Sequence, residues 1–208
     1  MEKNEMLEND SYEDMSTEDR ILNAALETVE DYTISGTRMH LIAEKAQMVQ
    51  SNVHYYYRTK EALLLALHKK VLDTCYSIRQ EDVKKAGDCL EEQLDVFLKQ
   101  KKKFLVEKTA YDTAEIDFWV QSRIKPKIRE RMRHSFDAWR KEIRRLFEIY
   151  CPDMPEERKD RLPSMLVSLM EGATIQYHLD PEHFDVDGYF DMCREMILQA
   201  AGQPEEEA

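Results

Sequence analysis

Between Gln50 and Tyr56 the chain sets Gln50, Ser51, Asn52, His54, Tyr55 and Tyr56 close together, hydrogen-bonding and aromatic side chains with no acid, Lys or Arg among them. Gln and Asn can each pair bidentately with adenine in the major groove of DNA. Ser can bond several base edges, and a Tyr hydroxyl can reach phosphate oxygens. On a lone short helix such residues would be ordinary polar surface, but as a group they suit base reading. Val53 and Tyr57, one helical turn apart, are expected to pack inward.

Base reading needs a rigid mount. Upstream, Met39, Ile42, Ala43 and Ala46 fall at helical spacing, and Gln47 to Gln50 form a step before the second short helical pattern begins. Two short helices joined by a tight turn give the helix-turn-helix outline. Thr37 can cap the first of them. A preceding helix, capped by Ser16 or Thr17 and reaching about Asp31, carries Ile21, Ala25 and Val29 on one face to hold the pair. Tyr32 to Gly36 is then the connection. Lys60 opens a fourth helix to about Gln80, where a phosphate would meet both a helix amino end and an ammonium group.

The run Thr37, Ile42-Ala43, Ala46, Val53-His54-Tyr55-Tyr56-Tyr57, Lys60-Glu61 and Leu63-Leu64 strongly resembles the amino-terminal DNA-binding domain of the TetR family of bacterial transcriptional regulators. The pattern extends over roughly fifty residues. Three positions depart from it: Gln47 stands where a turn Gly is common, His54 where a Tyr usually touches phosphate, and Tyr57 where Phe is typical. Gln47 must therefore tolerate the turn conformation, with strain if its φ is positive. The resemblance implies base contacts from Gln50, Ser51 and Asn52. It implies phosphate contacts from Tyr55, Tyr56 and Lys60, and from Thr37 and Arg38 on the first helix, with His54 a further DNA-facing candidate.

Composition points the same way. The 208 residues include only five Gly and six Pro, and 42% are hydrophobic, which favours an all-α protein with a real core. The net charge of −12 is concentrated at the ends: eight acids against Lys3 within residues 1–19, and Glu205, Glu206 and Glu207 at the tail. Thr37 to Lys60, by contrast, holds Arg38, Lys45, Arg58 and Lys60 against Glu44. Acidic ends of this kind are expected to be disordered, and the arm to weaken non-specific DNA affinity. The expected organisation is an acidic arm over 1–15, a helix-turn-helix domain over 16–62, a larger helical ligand-binding and dimerisation domain over 63–201, and an acidic tail over 202–208.

Further helices are expected from about Cys89 to Lys108, Thr113 to Arg123, Pro126 to Tyr150, Glu156 to His178 with a mild interruption at Pro163, and Val186 to Ala200. The stretches IDFWVQSR, AWRKEI and MEGATIQYHLDPEHFD resemble the BetI-type branch of the same family. That resemblance implies a homodimer through the last two helices, with Gly172 and Ala173 permitting close approach, and a cavity for a small-molecule effector. Candidate lining residues are Tyr111, Phe118, Trp119, Met132, Phe136, Trp139, Met165, Leu166, Met170 and Tyr177, any one of which could instead be plain core. Met-rich walls would adapt to the ligand, and aromatics could hold a cation or a flat apolar molecule. The basic run Arg123, Lys125, Lys127, Arg129, Arg131 and Arg133 reads as a solvated, ion-paired surface.

Enzyme chemistry finds little footing. The histidines have no H-E-x-x-H spacing, and no G-x-S-x-G, P-loop or glycine-rich nucleotide motif is present. Cys75, Cys89, Cys151 and Cys193 are scattered, so neither a metal site nor a disulfide framework is expected. No cofactor is expected either. No apolar run approaches a membrane span and the amino terminus is acidic, which suits a cytoplasmic protein without membrane association. The expected function is a DNA-binding transcriptional regulator, a repressor released from a palindromic operator by its effector. The alternative is a helical small-molecule-binding or protein-interaction module without specific DNA binding.

Overall fold

The structure, a computed structural model, describes residues 15–202. Among these the chain forms nine α-helices and no strand. The acidic-arm reading of residues 1–15 and that of the tail fall almost wholly outside them.

Helix α1 (Thr17–Gly36) starts where Ser16 Oγ accepts the Asp19 amide at 3.1 Å. Ile21, Ala25 and Val29 are fully buried on its inward face, as their spacing requires. The helical path breaks at Thr33, whose φ of 58° and ψ of 167° are non-helical. Residues 34–36 therefore turn the chain toward α2 (Met39–Lys45), close to the expected connection. Helix α3 (Gln50–Tyr56) follows after the Gln47 turn. Thr59 Oγ1 then caps α4 (Lys60–Val83) by accepting the Ala62 amide.

The remaining helices are α5 (Leu90–Val106), α6 (Thr109–Ser122), α7 (Pro126–Tyr150), α8 (Glu156–Leu179) and α9 (Val186–Ala201). Pro126 opens α7, where its missing N–H costs nothing. Pro163 sits buried within α8, which continues through it as one helix.

Two hydrophobic cores organise these helices. The first joins α1, α2 and α3 to Leu63, Leu64, Leu67 and Val71 of α4, and also takes in Ala114 and Phe118 of α6 with Ile128 and Met132 of α7. The second joins α5, the end of α7, α8 and α9. The amino-terminal helices are thus cemented to α6 and α7 rather than hung from α4 alone. A boundary at 62/63 falls within the first turn of α4, whose early turns serve both halves.

Candidate nucleic-acid interface and effector cavity

Helix α3 is mounted from behind. Val53 is fully buried and Tyr57 nearly so, with the Tyr57 hydroxyl donating to Glu18 Oε1 of α1 at 2.8 Å. Arg20 Nη2 donates to Ala46 O at 3.0 Å and so ties α1 to the end of α2. Gln50, Ser51, Asn52, His54, Tyr55 and Tyr56 are all exposed. Tyr55 is 83% exposed, standing edge-on to Tyr56 with ring centroids 5.4 Å apart. Gln50 Nε2 lies 3.2 Å from His54 Nε2, so these two neighbours share one hydrogen bond across a helical turn. The face is an uncharged row of donors and acceptors, and it belongs to a short helix fastened to its neighbours through the buried Val53 and Tyr57.

The turn before α3 carries the predicted strain. Gln47 has φ 54°, in the left-handed region, where the Met48 amide reaches back to Ala43 O at 2.9 Å and closes the end of α2.

Two residues expected at phosphates face inward instead. Thr37 is fully buried, and its hydroxyl donates to Thr33 O at 2.7 Å. It is not the cap of α2, whose N-cap residue is Arg38. Lys60 Nζ donates to Ile34 O at 2.5 Å and to Thr37 O at 2.6 Å. Burial, then the neighbouring Arg38 and Lys125, lower its pKa. These carbonyls claim the Lys60 ammonium because the chain reversal leaves them without helical partners. Arg38 is exposed, with Nη1 donating to Ser35 O, Gly36 O and Thr37 O.

A cavity of about 260 Å³ lies among α4, α5, α6 and α7. Phe104, Phe118, Met132, Tyr76 and Trp139 give it aromatic and thioether walls. His68, Arg79, Gln100, Lys101, Glu115 and Glu142 give it polar ones. Arg79 Nε donates to Glu142 at 2.9 Å and Nη1 to Gln100 Oε1 at 3.0 Å. Lys101, 3% exposed, stands 2.8 Å from Asp112, 3.1 Å from Glu171 and 3.5 Å from Glu115. Burial works to lower the Lys101 pKa, but Glu115, Glu171 and Asp112 outweigh it and hold the ammonium charged. The same crowding acts on Glu171, raised to about 7 by burial first and then by Glu115.

Two buried polar atoms on the cavity wall have no hydrogen-bond partner, His68 Nδ1 and Trp139 Nε1. His68 Nε2 lies 3.1 Å from Met132 Sδ, and burial lowers the ring's pKa to about 4, so it is neutral near pH 7. With its proton on Nε2, the ring offers Nδ1 as an acceptor.

Comparison with known proteins matches this architecture from both ends. A model described as bacterial regulatory proteins of the tetR family matches residues 21–67, and one described as the BetI-type transcriptional repressor C-terminal domain matches residues 106–202. The chain belongs to the TetR family. Within it, the regulator RutR of Escherichia coli (strain K12) is 43% identical over 53 residues, 26% of this chain and 25% of its own length. The regulator BetI of Paraburkholderia xenovorans is 25% identical over 172 residues, 80% of this chain and 84% of its own. A transcriptional regulator from Saccharomonospora viridis, solved in complex with choline, superposes with a TM-score of 0.78 at 19% identity, covering 86% of this chain and 94% of the other. The matching model describes that family as bacterial regulatory proteins, and these relatives are named as transcriptional regulators.

Of the ten apolar residues expected to line a TetR effector cavity, Phe118, Met132 and Trp139 do. Tyr111 packs beside Phe104, and Phe136 lies between the two cores. Trp119 and Met165 are 55% and 50% exposed. Leu166 and Met170 are fully buried in the second core, and Tyr177 packs against it. Leu166, Met170 and Tyr177 miss the cavity because α8 turns that face to the second core. Ala173 likewise points into that core, whereas a Cβ on Gly172 would meet only the Tyr189 hydroxyl at 3.5 Å.

The contributions of α4 and α5 were missed. His68, Leu72, Tyr76 and Arg79 recur at helical spacing along α4, and that periodicity was available as a signal. Lys101 was not recoverable, since it sits in the run KQKKK and looks like solvated charge. Of the basic run that opens α7, Arg129 donates to Ser122 O and Arg123 O, and Arg131 to Leu65 O.

Proposed function

We propose that the chain acts in the cytoplasm as a dimeric repressor, binding a palindromic operator through two copies of α3 and leaving it when a small organic cation enters the α4–α7 cavity. The observation that carries the DNA half is the uncharged, fully presented face of α3, locked from behind by Val53 and Tyr57. In a two-fold dimer the two faces would meet successive major grooves one helical turn apart. Met165, Ile175 and Leu179 of α8 with Met192 and Met196 of α9 form an exposed apolar surface suited to that pairing.

The cation half rests on charge. The cavity lining sets Asp73, Glu115 and Glu142 against Arg79 and Lys101 beside aromatic faces, and Asp112 and Glu171 contact Lys101 from outside the lining, so carboxyl groups outnumber the cations there. An anion would meet that excess without compensation, and a cation would relieve it. His68 Nδ1 and Trp139 Nε1 add an acceptor and a donor, so a ligand bearing a hydroxyl could satisfy both. The choline-bound Saccharomonospora viridis regulator agrees with this class.

The test is fluorescence anisotropy on DNA from upstream of the chain's own coding sequence. Gln50→Ala and Asn52→Ala are each expected to weaken specific binding by the order of 1–3 kcal/mol without changing non-specific binding. Choline or a related quaternary ammonium is expected to weaken the wild-type complex. Wild-type affinity in both variants would refute the reading of α3, and stronger effects from carboxylates than from ammonium compounds would refute the cation class.

A further inference from the structure

The most strained backbone among the described residues lies between the cavity and the DNA-reading helices. Thr33, with φ 58° and ψ 167°, occupies a region that is essentially glycine's, and it does so with a β-branched side chain. Such a conformation persists only where its surroundings hold it, and here the holders can be named. The Ile34 amide donates to Asp117 Oδ2 of α6 at 2.7 Å. The Ile34 carbonyl accepts from Lys60 Nζ, and the Thr33 carbonyl accepts from both the amide and the hydroxyl of Thr37. One helical turn beyond Asp117, Gln121 Nε2 donates to Ser35 Oγ at 3.1 Å.

Helix α6 therefore faces two ways. Glu115 and Phe118 line the cavity, while Asp117 and Gln121 grip the turn that leads into α2 and α3. Thr37, Lys60 and Arg38 hold the turn from the DNA-binding side, but Asp117 is the side chain from the cavity side that bonds to its main chain. A shift of α6 too small to disturb the core would lengthen a 2.7 Å bond, and a residue in a glycine conformation has little reason to stay put once that bond is lost.

Building on the reading of the chain as a ligand-released DNA-binding regulator, we infer that Asp117 is a positioning residue for DNA binding: its carboxylate holds the strained Thr33 turn, and through it movement of the cavity-lining helix reaches the reading helix. The partial burial of Asp117 raises its pKa and the Ile34 amide bond opposes that rise, consistent with a carboxylate whose main service is to this one amide.

The experiment is a double-mutant cycle between Asp117→Ala and Thr33→Gly in the full chain, read by DNA affinity and by amide exchange at Ile34. With Thr33 in place, Asp117→Ala is expected to speed Ile34 exchange at least tenfold and to weaken operator binding at least fivefold. In the Thr33→Gly background, where the turn needs no holder, the same substitution is expected to change each by less than about twofold. Asp117→Asn, which keeps an acceptor oxygen, should recover most of both. Equal losses in both backgrounds would reduce Asp117 to ordinary packing and overturn the inference, as would unchanged Ile34 exchange in Asp117→Ala. If the wild type bound no DNA the functional reading itself would fall, and the exchange arm would still decide the clamp alone.

Discussion

Replacing Gln47 by Gly should make this protein more stable, although it removes a side chain. Gln47 sits at φ 54° just past α2, with the Met48 amide bonded back to Ala43 O at 2.9 Å, so the left-handed conformation is fixed by the helix-ending bonds around it. A residue with a Cβ is disfavoured there by about 1 kcal/mol or a little more, and glycine escapes that cost. Glycine also gains freedom in the unfolded chain, which offsets part of the benefit, so a net stabilisation of about 0.5–1 kcal/mol is expected. Gln47 is exposed, and little burial is lost with it. For a chain of this size that corresponds to a rise in Tm of roughly 1–4 °C. The assay is a thermal melt by circular dichroism, paired with Gln47→Val, whose branched Cβ should lower Tm instead. Operator affinity should stay within about twofold for the glycine variant, because Gln47 precedes the reading face. A lower Tm for Gln47→Gly, or equal values for the Gly and Val variants, would show that the turn is not held in the left-handed region.

Glu171→Gln should flatten the pH dependence of stability. Burial, then Glu115, raise the Glu171 pKa to about 7, so the folded chain keeps a proton that the unfolded chain releases near 4.5. The wild type is thereby destabilised as pH rises from about 4.5 through about 7, and the variant, which cannot ionise, should gain on it by the order of 2 kcal/mol at pH 8. Parallel melting curves from pH 5 to pH 8 would contradict this. Lys60→Met removes two charge-assisted bonds to Ile34 O and Thr37 O, and should lower Tm by about 4–8 °C, from about 2 kcal/mol of lost stability. If Lys60 were instead a phosphate contact, the salt dependence of DNA binding would lose close to one counterion with little change in Tm. Ile175→Lys places a charge on the exposed apolar surface of α8, where Ile175 is 53% exposed. Sedimentation should then show a shift from dimer to monomer together with weaker operator binding, and an unchanged dimer would mean that subunits meet elsewhere.

The helix-turn-helix was legible in the sequence because its constraints are local. Apolar spacing marks the inward face of α1 and of α2, Val53 and Tyr57 mark that of α3, and the non-glycine at position 47 announced a turn that the structure places at positive φ. The Thr33 break was not legible. Thr-Ile-Ser-Gly suggested only a connection, and the contacts that hold it come from Asp117, eighty-three positions away from Ile34. Lys60 shows the same limit: at a helix amino end it looks like a phosphate ligand, yet the carbonyls of the Thr33 turn, created by long-range folding, claim its ammonium.

The α4–α7 cavity exposes a deeper ambiguity. Leu166 and Met170, buried in a core, and Phe118 and Met132, lining a cavity, are indistinguishable by hydrophobicity and spacing. What separates a cavity wall from a core is polar chemistry held inside: the unpartnered His68 Nδ1 and Trp139 Nε1, and a Lys101 that needs three carboxylates around it. A purely apolar core would have no use for these groups, and desolvating them costs stability. His68 stands on α4, which grips the Thr33 turn through Lys60, and Glu115, which pairs with Lys101, stands on α6, which grips it through Asp117, so two groups that would feel an occupant share helices with those that hold the DNA-reading unit in place.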